Sequence, residues 1–162
     1  MGIILDPNKL HQIFELKKAG KTIVLTGGSF DILHAGHIEF LRRAKDLGDE
    51  LIVFLESDGK IKNIKGENRP VNSQSDRAAV LAHLPMVSYV LPLTTLKTDQ
   101  DYEILVKRLE PDIIAVSGSD KVFEWEKRLE KEGLLRIVKV MERYGKYSTT
   151  NLVGQLSDPT DK

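Results

Sequence analysis

Two histidines, His34 and His37, stand three positions apart in the stretch GGSFDILHAGH at residues 27–37, and no other pair in the sequence is better placed to do chemistry. In the first turn of a helix that spacing sets both imidazoles on roughly the same side. Gly27 and Gly28 come just before, and without a Cβ they let the chain bend tightly and let a ligand approach the main chain. A helix that starts at the histidines adds unpaired N–H groups and the positive end of its macrodipole. Together these form a site for a polyphosphate whose negative charge grows or shifts during a reaction.

Other readings of the same residues fit less well. Paired neutral imidazoles bind zinc, but no third or fourth ligand stands at a suitable spacing and no HExxH is present, so no metal site is read. A Walker A loop needs Gly-Lys-Ser/Thr at its end, and the dinucleotide fingerprint needs a third glycine; this turn has neither. A lone histidine near a helix start is more often a cap or a surface residue. The weight therefore rests on the pair combined with the glycine bend.

The elements that must hold this stretch alternate. Lys21–Thr26, with Ile23, Val24 and Leu25, reads as a buried strand, and Ile38, Leu41, Ala44 and Leu47 give the following helix its apolar face. Further strands are expected at Glu50–Glu56, Val87–Leu91, Asp112–Val116 and Leu135–Val140. Helices are expected from Asp6 and Pro7 to Gly20, after the Ser73/Asp76 capping box, over Asp99–Leu109, around Phe123 and Trp125, and from Ser148 or Thr149 to Gln155. The pattern predicts an α/β fold, a Rossmann-like open parallel five-stranded sheet with helices on both faces. The ligand then lies at the carboxyl ends of the strands. One domain is expected over residues 1–156, with a loose tail at 157–162.

Residues 57–72 read as a polar loop carrying Lys60, Lys62, Lys65 and Arg69, on the same sheet edge as the histidines. Lys65, beside Gly66, is the cation chosen to reach phosphate. Arg69 is read as part of a turn with Pro70. Arg77 sits in the first turn of its helix, where a cation opposes the dipole, and anion binding is the gain that would justify it. The chain has 24 basic and 24 acidic residues and no cysteine. A zero net charge gives no global field toward nucleic acid or an anionic membrane, so any positive site must be local. No apolar run reaches membrane-spanning length and no secretory leader is seen, so a cytoplasmic protein without nucleic-acid or membrane partners is expected.

The H-A-G-H of residues 34–37, preceded by G-S-F-D, resembles the HxGH signature of the cytidylyltransferase-like nucleotidyltransferases. The segment KGENRPVNSQSDRAAVLAHLPMVSYV at 65–90 is similar to the corresponding segment of heptose 1-phosphate adenylyltransferases, and YSTTN at 147–151 is similar to a motif of that family and of the glycerol-3-phosphate cytidylyltransferases. The resemblance runs from about Lys21 to Leu156. It implies transfer of a nucleoside monophosphate from a triphosphate, with ATP ahead of CTP, to a phosphorylated acceptor, with heptose 1-phosphate ahead of glycerol 3-phosphate.

By that resemblance Gly28, Ser29, Phe30, His34 and His37 hold the nucleotide, and Lys65 and Arg77 contact acceptor phosphate or triphosphate. The 117–120 loop, with Gly118 and Asp120, and the 141–147 loop, with Tyr147, distinguish the base through main-chain contacts; residues 143–150 close over the nucleotide, and Arg143 offsets repulsion between the phosphates. Ser148, Thr149 and Thr150 close over the phosphates. Mg²⁺ is implied as companion of the triphosphate, and a homodimer by analogy. Ser117-Gly118-Ser119-Asp120 stands where the heptose enzymes commonly have Lys-Gly-Gly-Asp, and Arg143 lies five residues before Ser148, as in the glycerol-phosphate enzymes. A flavin or pantetheine-type adenylyltransferase and a catalytically silent nucleotide sensor are the competing readings.

Overall fold

The computed structural model describes residues 1–6, 10–118 and 120–142. In chain order they form β1 (Ile3–Ile4), α1 (His11–Lys18), β2 (Ile23–Gly28), α2 (Ala35–Lys45), β3 (Glu50–Leu55), α3 (Asp58–Lys65), α4 (Gln74–Ala82), β4 (Tyr89–Pro92), α5 (Asp99–Leu109), β5 (Ile113–Ser117), α6 (Glu124–Lys131) and β6 (Arg136–Met141). All pairings in the sheet are parallel, in the order β1-β4-β3-β2-β5-β6.

This is the expected α/β architecture with one correction: the sheet has six strands, where the sequence pattern predicts five. The added strand is the two-residue β1 at the outer edge, with Ile3 and Ile4 both exposed. So short a segment has no periodicity to read, and its place is set by pairing with β4. The central strands β2 and β3 are continuous apolar runs because they are covered on both faces.

Two apolar clusters follow from the alternation of side chains along each strand. Ile23, Leu25, Ile52 and Phe54 pack with Leu10 and Ile13 near α1, Val106 and Leu109 of α5, and Trp125 and Leu129 of α6. Val24, Leu51, Val53 and Leu55 pack with Phe40, Leu41 and Ala44 of α2 and Ala78, Leu81 and Ala82 of α4. Each fully buried aliphatic side chain of this kind contributes about 1.5–3 kcal/mol.

The chain runs outward from β2 through β3 to β4, then returns past β2 to build β5 and β6. β2 is therefore the strand at which the winding reverses, and a crevice opens at such a point outside the carboxyl ends. Its geometry is visible in the ladders. β2 and β5 pair only at Val24–Ile113 and Leu25–Ile114, while β2 runs on beside β3 to Gly28 and β5 runs on beside β6 to Ser117. At the base of the split, the buried Thr26 hydroxyl donates to Ala115 O at 3.0 Å.

Residues 57–72 do not form the expected open loop. Ser57 accepts from Lys60 N at 3.2 Å and starts α3, whose Ile61 is buried. The hydroxyl cap and Ile61 are the local signals, which the lysines obscure in the sequence.

Candidate active site

The turn after β2 is built differently from the sequence reading. Gly27 and Gly28 lie in the strand, and the residue with a left-handed backbone is Phe30, at φ 42. The glycine that matters here is Gly28: a Cβ at that position would lie 2.8 Å from Cε2 of Phe30. Gly28 thus lets the buried Phe30 ring fold back over the strand end. A non-glycine residue with positive φ persists only where its surroundings hold it, and such positions collect at functional sites.

The surroundings are a buried polar frame. The Asp31 side chain, fully buried, accepts from Arg69 Nε at 2.6 Å, Val71 N at 2.8 Å and Asn72 N at 3.1 Å. Asn72 Nδ2 returns a bond to Asp31 O at 2.7 Å. The 69–72 segment, whose Arg69–Pro70 peptide is cis, is in this way tied to the turn, in the structural role the sequence assigns to Arg69.

Arg77, expected to meet phosphate, stands in the same frame. Its side chain is 1% exposed. The guanidinium donates to Ser29 O, to Asn72 O at 3.1 Å, to Glu56 O at 2.9 Å and to Asp58 Oδ1 at 2.6 Å. These carbonyls and the Asp58 carboxylate offset its position against the helix dipole. Gln74 and Asp58 also brace the rim, and the sequence reading misses both: Gln74 Nε2 donates to Leu55 O at 3.0 Å and Leu93 O at 2.9 Å, and Asp58 Oδ2 accepts from Gln74 N at 3.1 Å. No spacing rule reveals partners that lie so far along the chain.

Above this frame, Nδ1 of the two histidines is buried and has no hydrogen-bond partner among the described residues. His34 occupies the N-cap position of α2 without a side-chain capping bond, and no acidic residue stands in that helix's first turn. In α3, α4 and α5, by contrast, a Ser or Thr side chain caps the helix and an acidic residue follows. The His34 and His37 rings stack at 3.8 Å between centroids, 22° apart, and His37 meets Phe30 edge to face at 5.3 Å.

Electrostatics agree with this contrast. Burial holds His34 below the usual imidazole range. Burial, with the neighbouring His34 and Lys65, lowers His37 to about 4. Lys65, at the end of α3, donates to Ser29 Oγ at 3.1 Å. Partial burial, then Arg69 and Arg77, depress its ammonium, with Asp31 opposing. Two neutral imidazoles, a strained ammonium and the N–H groups of α2 thus share one rim, and an incoming anion relieves the repulsion while meeting donors.

Gly118 and Asp120 stand on the opposite side of the split, after β5. Gly118 N donates to Met141 O at 2.8 Å, and the Asp120 carboxylate accepts from Ser117 N at 2.6 Å. Both are engaged in shaping their own turn. Ser119, Arg143, Tyr147, Ser148, Thr149 and Thr150, and the expected final helix, lie outside the described residues. Among the described residues no group of three or more His, Asp or Glu side chains is arranged to hold a metal ion.

A doubly wound parallel sheet with a strand-to-helix turn at its reversal point defines the class, the open α/β proteins whose ligands lie outside the carboxyl ends of the strands. The particular family follows from comparison: residues 25–155 match the model of the Cytidylyltransferase-like family, and the chain belongs to it. The bifunctional protein HldE of Campylobacter fetus is 42% identical over 148 residues, 91% of this chain and 30% of that protein. The HldE of Nitratiruptor is 49% identical over 107 residues, 66% of this chain and 22% of that protein. The chain thus spans about a third or less of these curated relatives' length. Among solved structures, a lipopolysaccharide core biosynthesis protein from Thermoplasma volcanium superposes with a TM-score of 0.59 at 32% identity, covering 80% of this chain and all of that one. The pantoate-beta-alanine ligase of Francisella tularensis shares the fold, with a TM-score of 0.56 at 15% identity, covering 94% of this chain and 73% of that one.

Proposed function

We propose that the chain is a nucleotidyltransferase that joins the adenylyl group of ATP to a sugar phosphate, heptose 1-phosphate in first place, and releases pyrophosphate. The observation that carries this reading is the stacked, neutral, unpartnered His34–His37 pair beside the Lys65 ammonium at the start of α2. The choice of acceptor is supported by the KGENRPVNSQSDR resemblance and by the names of the relatives, a bifunctional HldE and a lipopolysaccharide core biosynthesis protein.

In the proposed reaction an oxygen of the acceptor phosphate attacks the α-phosphorus in line, and the bond to the β,γ-diphosphate breaks. A phosphate monoester is already ionised at neutral pH, so no general base is called for. The protein's work is to position two anions and to neutralise charge on the α-phosphoryl and leaving groups. His34 and His37 donate to phosphate oxygens, Lys65 offsets repulsion, and Arg77 holds the turn on which Ser29 and Phe30 stand. Mg²⁺ supplies charge neutralisation when it arrives with the triphosphate. A cytoplasmic homodimer is part of the same proposal, and among the described residues no helix is long and apolar enough to cross a membrane.

The test is pyrophosphate release with ATP or CTP against heptose 1-phosphate, glycerol 3-phosphate, a flavin mononucleotide and a phosphopantetheine. ATP with heptose 1-phosphate is expected to give the highest rate. Preference for CTP and glycerol 3-phosphate would move the assignment to the other branch, and nucleotide binding with no turnover on any acceptor would make the chain a sensor.

A further inference from the structure

Glu56 is the residue that follows β3, and it is bound on both sides of its peptide. Its N–H donates to Gly28 O at 3.1 Å and its carbonyl accepts from Arg77 Nη2 at 2.9 Å, so its backbone lies against the turn that carries Ser29. The side chain continues the row of Ile52 and Phe54, toward the face covered by α1, α5 and α6. The histidines rise from α2, on the other face.

On that face the half-buried Glu56 carboxylate accepts from the Tyr102 hydroxyl, at 2.8 Å to Oε1 and 3.0 Å to Oε2. Lys60 Nζ sits 5.5 Å from the Tyr102 ring centroid and donates to Leu96 O at 3.5 Å. Gly27, on the neighbouring strand, is exposed, and among the described residues a Cβ there would meet only Phe54 within 4 Å. Among the described residues the end of β2 beside the half-buried Glu56 is thus uncovered.

A carboxylate accepts about four hydrogen bonds, and one phenolic proton uses one of them at a time. Glu56 thus keeps acceptor capacity in a rim otherwise supplied with cations and N–H donors. A carboxylate there repels phosphate and welcomes hydroxyl groups. Tyr102, held firmly in its neutral form by burial and by Glu56, cannot compete as a second anion.

We propose that Glu56, oriented by Tyr102, reads the hydroxyl groups of a polyhydroxylated acceptor whose phosphate lies toward Ser29, Lys65 and His37. This rests on the transferase reading above and adds to it the residue that selects a sugar over a less hydroxylated phosphate ester.

The experiment is calorimetric titration of the chain and of Glu56→Ala, Glu56→Gln and Tyr102→Phe with heptose 1-phosphate and, separately, with MgATP. Glu56→Ala is expected to weaken heptose 1-phosphate about tenfold or more and to leave MgATP unchanged. Tyr102→Phe, which keeps the carboxylate but frees its orientation, gives a smaller loss in the same direction and serves if Glu56→Ala fails to fold. Unchanged sugar-phosphate affinity, equal weakening of MgATP, or a chain that binds no heptose 1-phosphate at all overturns the subsite. Pyrophosphate release separates the two claims. Binding through Glu56 without release sinks the transferase reading alone, whereas release with an acceptor KM untouched by Glu56→Ala sinks the subsite alone.

Discussion

Two groups of charges lie at the same turn, and the fold treats them in opposite ways. Asp31, Arg69 and Arg77 are buried and held by carbonyls, amides and one another. His34, His37 and Lys65, a few ångströms higher on the rim, have unpartnered ring nitrogens or a depressed ammonium. The lower group holds the shape of the turn at the cost of desolvation. The upper group raises the free energy of the empty protein, a cost that only a ligand removes. Sequence reasoning singles out His34, His37, Lys65 and Arg77 as phosphate contacts; in the folded chain what distinguishes the two groups is whether a partner has already been supplied.

The largest test of this division is Arg77→Ala. It would leave Ser29 O, Asn72 O and Glu56 O without their donor and Asp58 without its cation. Breaking a buried, hydrogen-bonded charge of this kind costs about 3–5 kcal/mol. Urea denaturation is expected to show that loss, with activity falling because the turn is lost. A variant with a normal midpoint and only a slower rate would return Arg77 to the upper group.

His37→Ala is the mirror experiment. Removing a donor that acts on developing charge costs about 3 kcal/mol in the transition state, a hundredfold or more in turnover. The urea midpoint is expected to stay near that of the parent chain, since the ring makes no hydrogen bond through Nδ1. Near-normal turnover in steady-state assays would remove the imidazole from the proposed mechanism.

The legibility of the molecule follows the same line. Strand and helix alternation was readable because β3 is an unbroken apolar run, the apolar stripe of α2 is long enough to carry a period, and the Ser73 cap lies within three residues of the group it binds. The HxGH pair was readable because its chemistry is local to one turn. β1 was not, because two residues have no pattern and depend on a partner strand. The frame around Arg77 was not legible because two of its acceptor segments, Ser29 and Glu56–Asp58, lie far along the chain, and only the folded chain brings them to the guanidinium. α3 was hidden because its three lysines give the segment the look of a polar loop, while the buried Ile61 and the Ser57 cap hold the helix in place.

A third test changes pH instead of sequence. His37 titrates near 4 in the folded chain against an ordinary value of 6.5, so the unfolded state binds more protons in between. Burial of the neutral ring therefore carries no titration cost above about pH 6.5, and stability falls as pH drops from there toward 4, by about 2 kcal/mol once partial exposure is allowed for. His37→Gln should flatten that part of the stability profile. A triphosphate reverses the bias, because a nearby anion favours the imidazolium, so MgATP affinity is expected to rise between pH 7 and pH 5 in calorimetry. A flat affinity across that range would mean that the ring does not face the phosphates.

The smallest effect is expected at Lys65, and its sign matters more than its size. The ammonium is depressed by partial burial and by the Arg69 and Arg77 cations, and its one neutral partner is Ser29 Oγ at 3.1 Å. Lys65→Met keeps most of the side-chain bulk and removes the like charge. Thermal and urea unfolding are expected to show the variant equal to the parent or more stable, by no more than about 0.5 kcal/mol. Triphosphate affinity is expected to fall at the same time, because the charge that burdens the empty rim is the charge that meets the ligand. A lysine belonging to the supporting frame would move both measurements downward together.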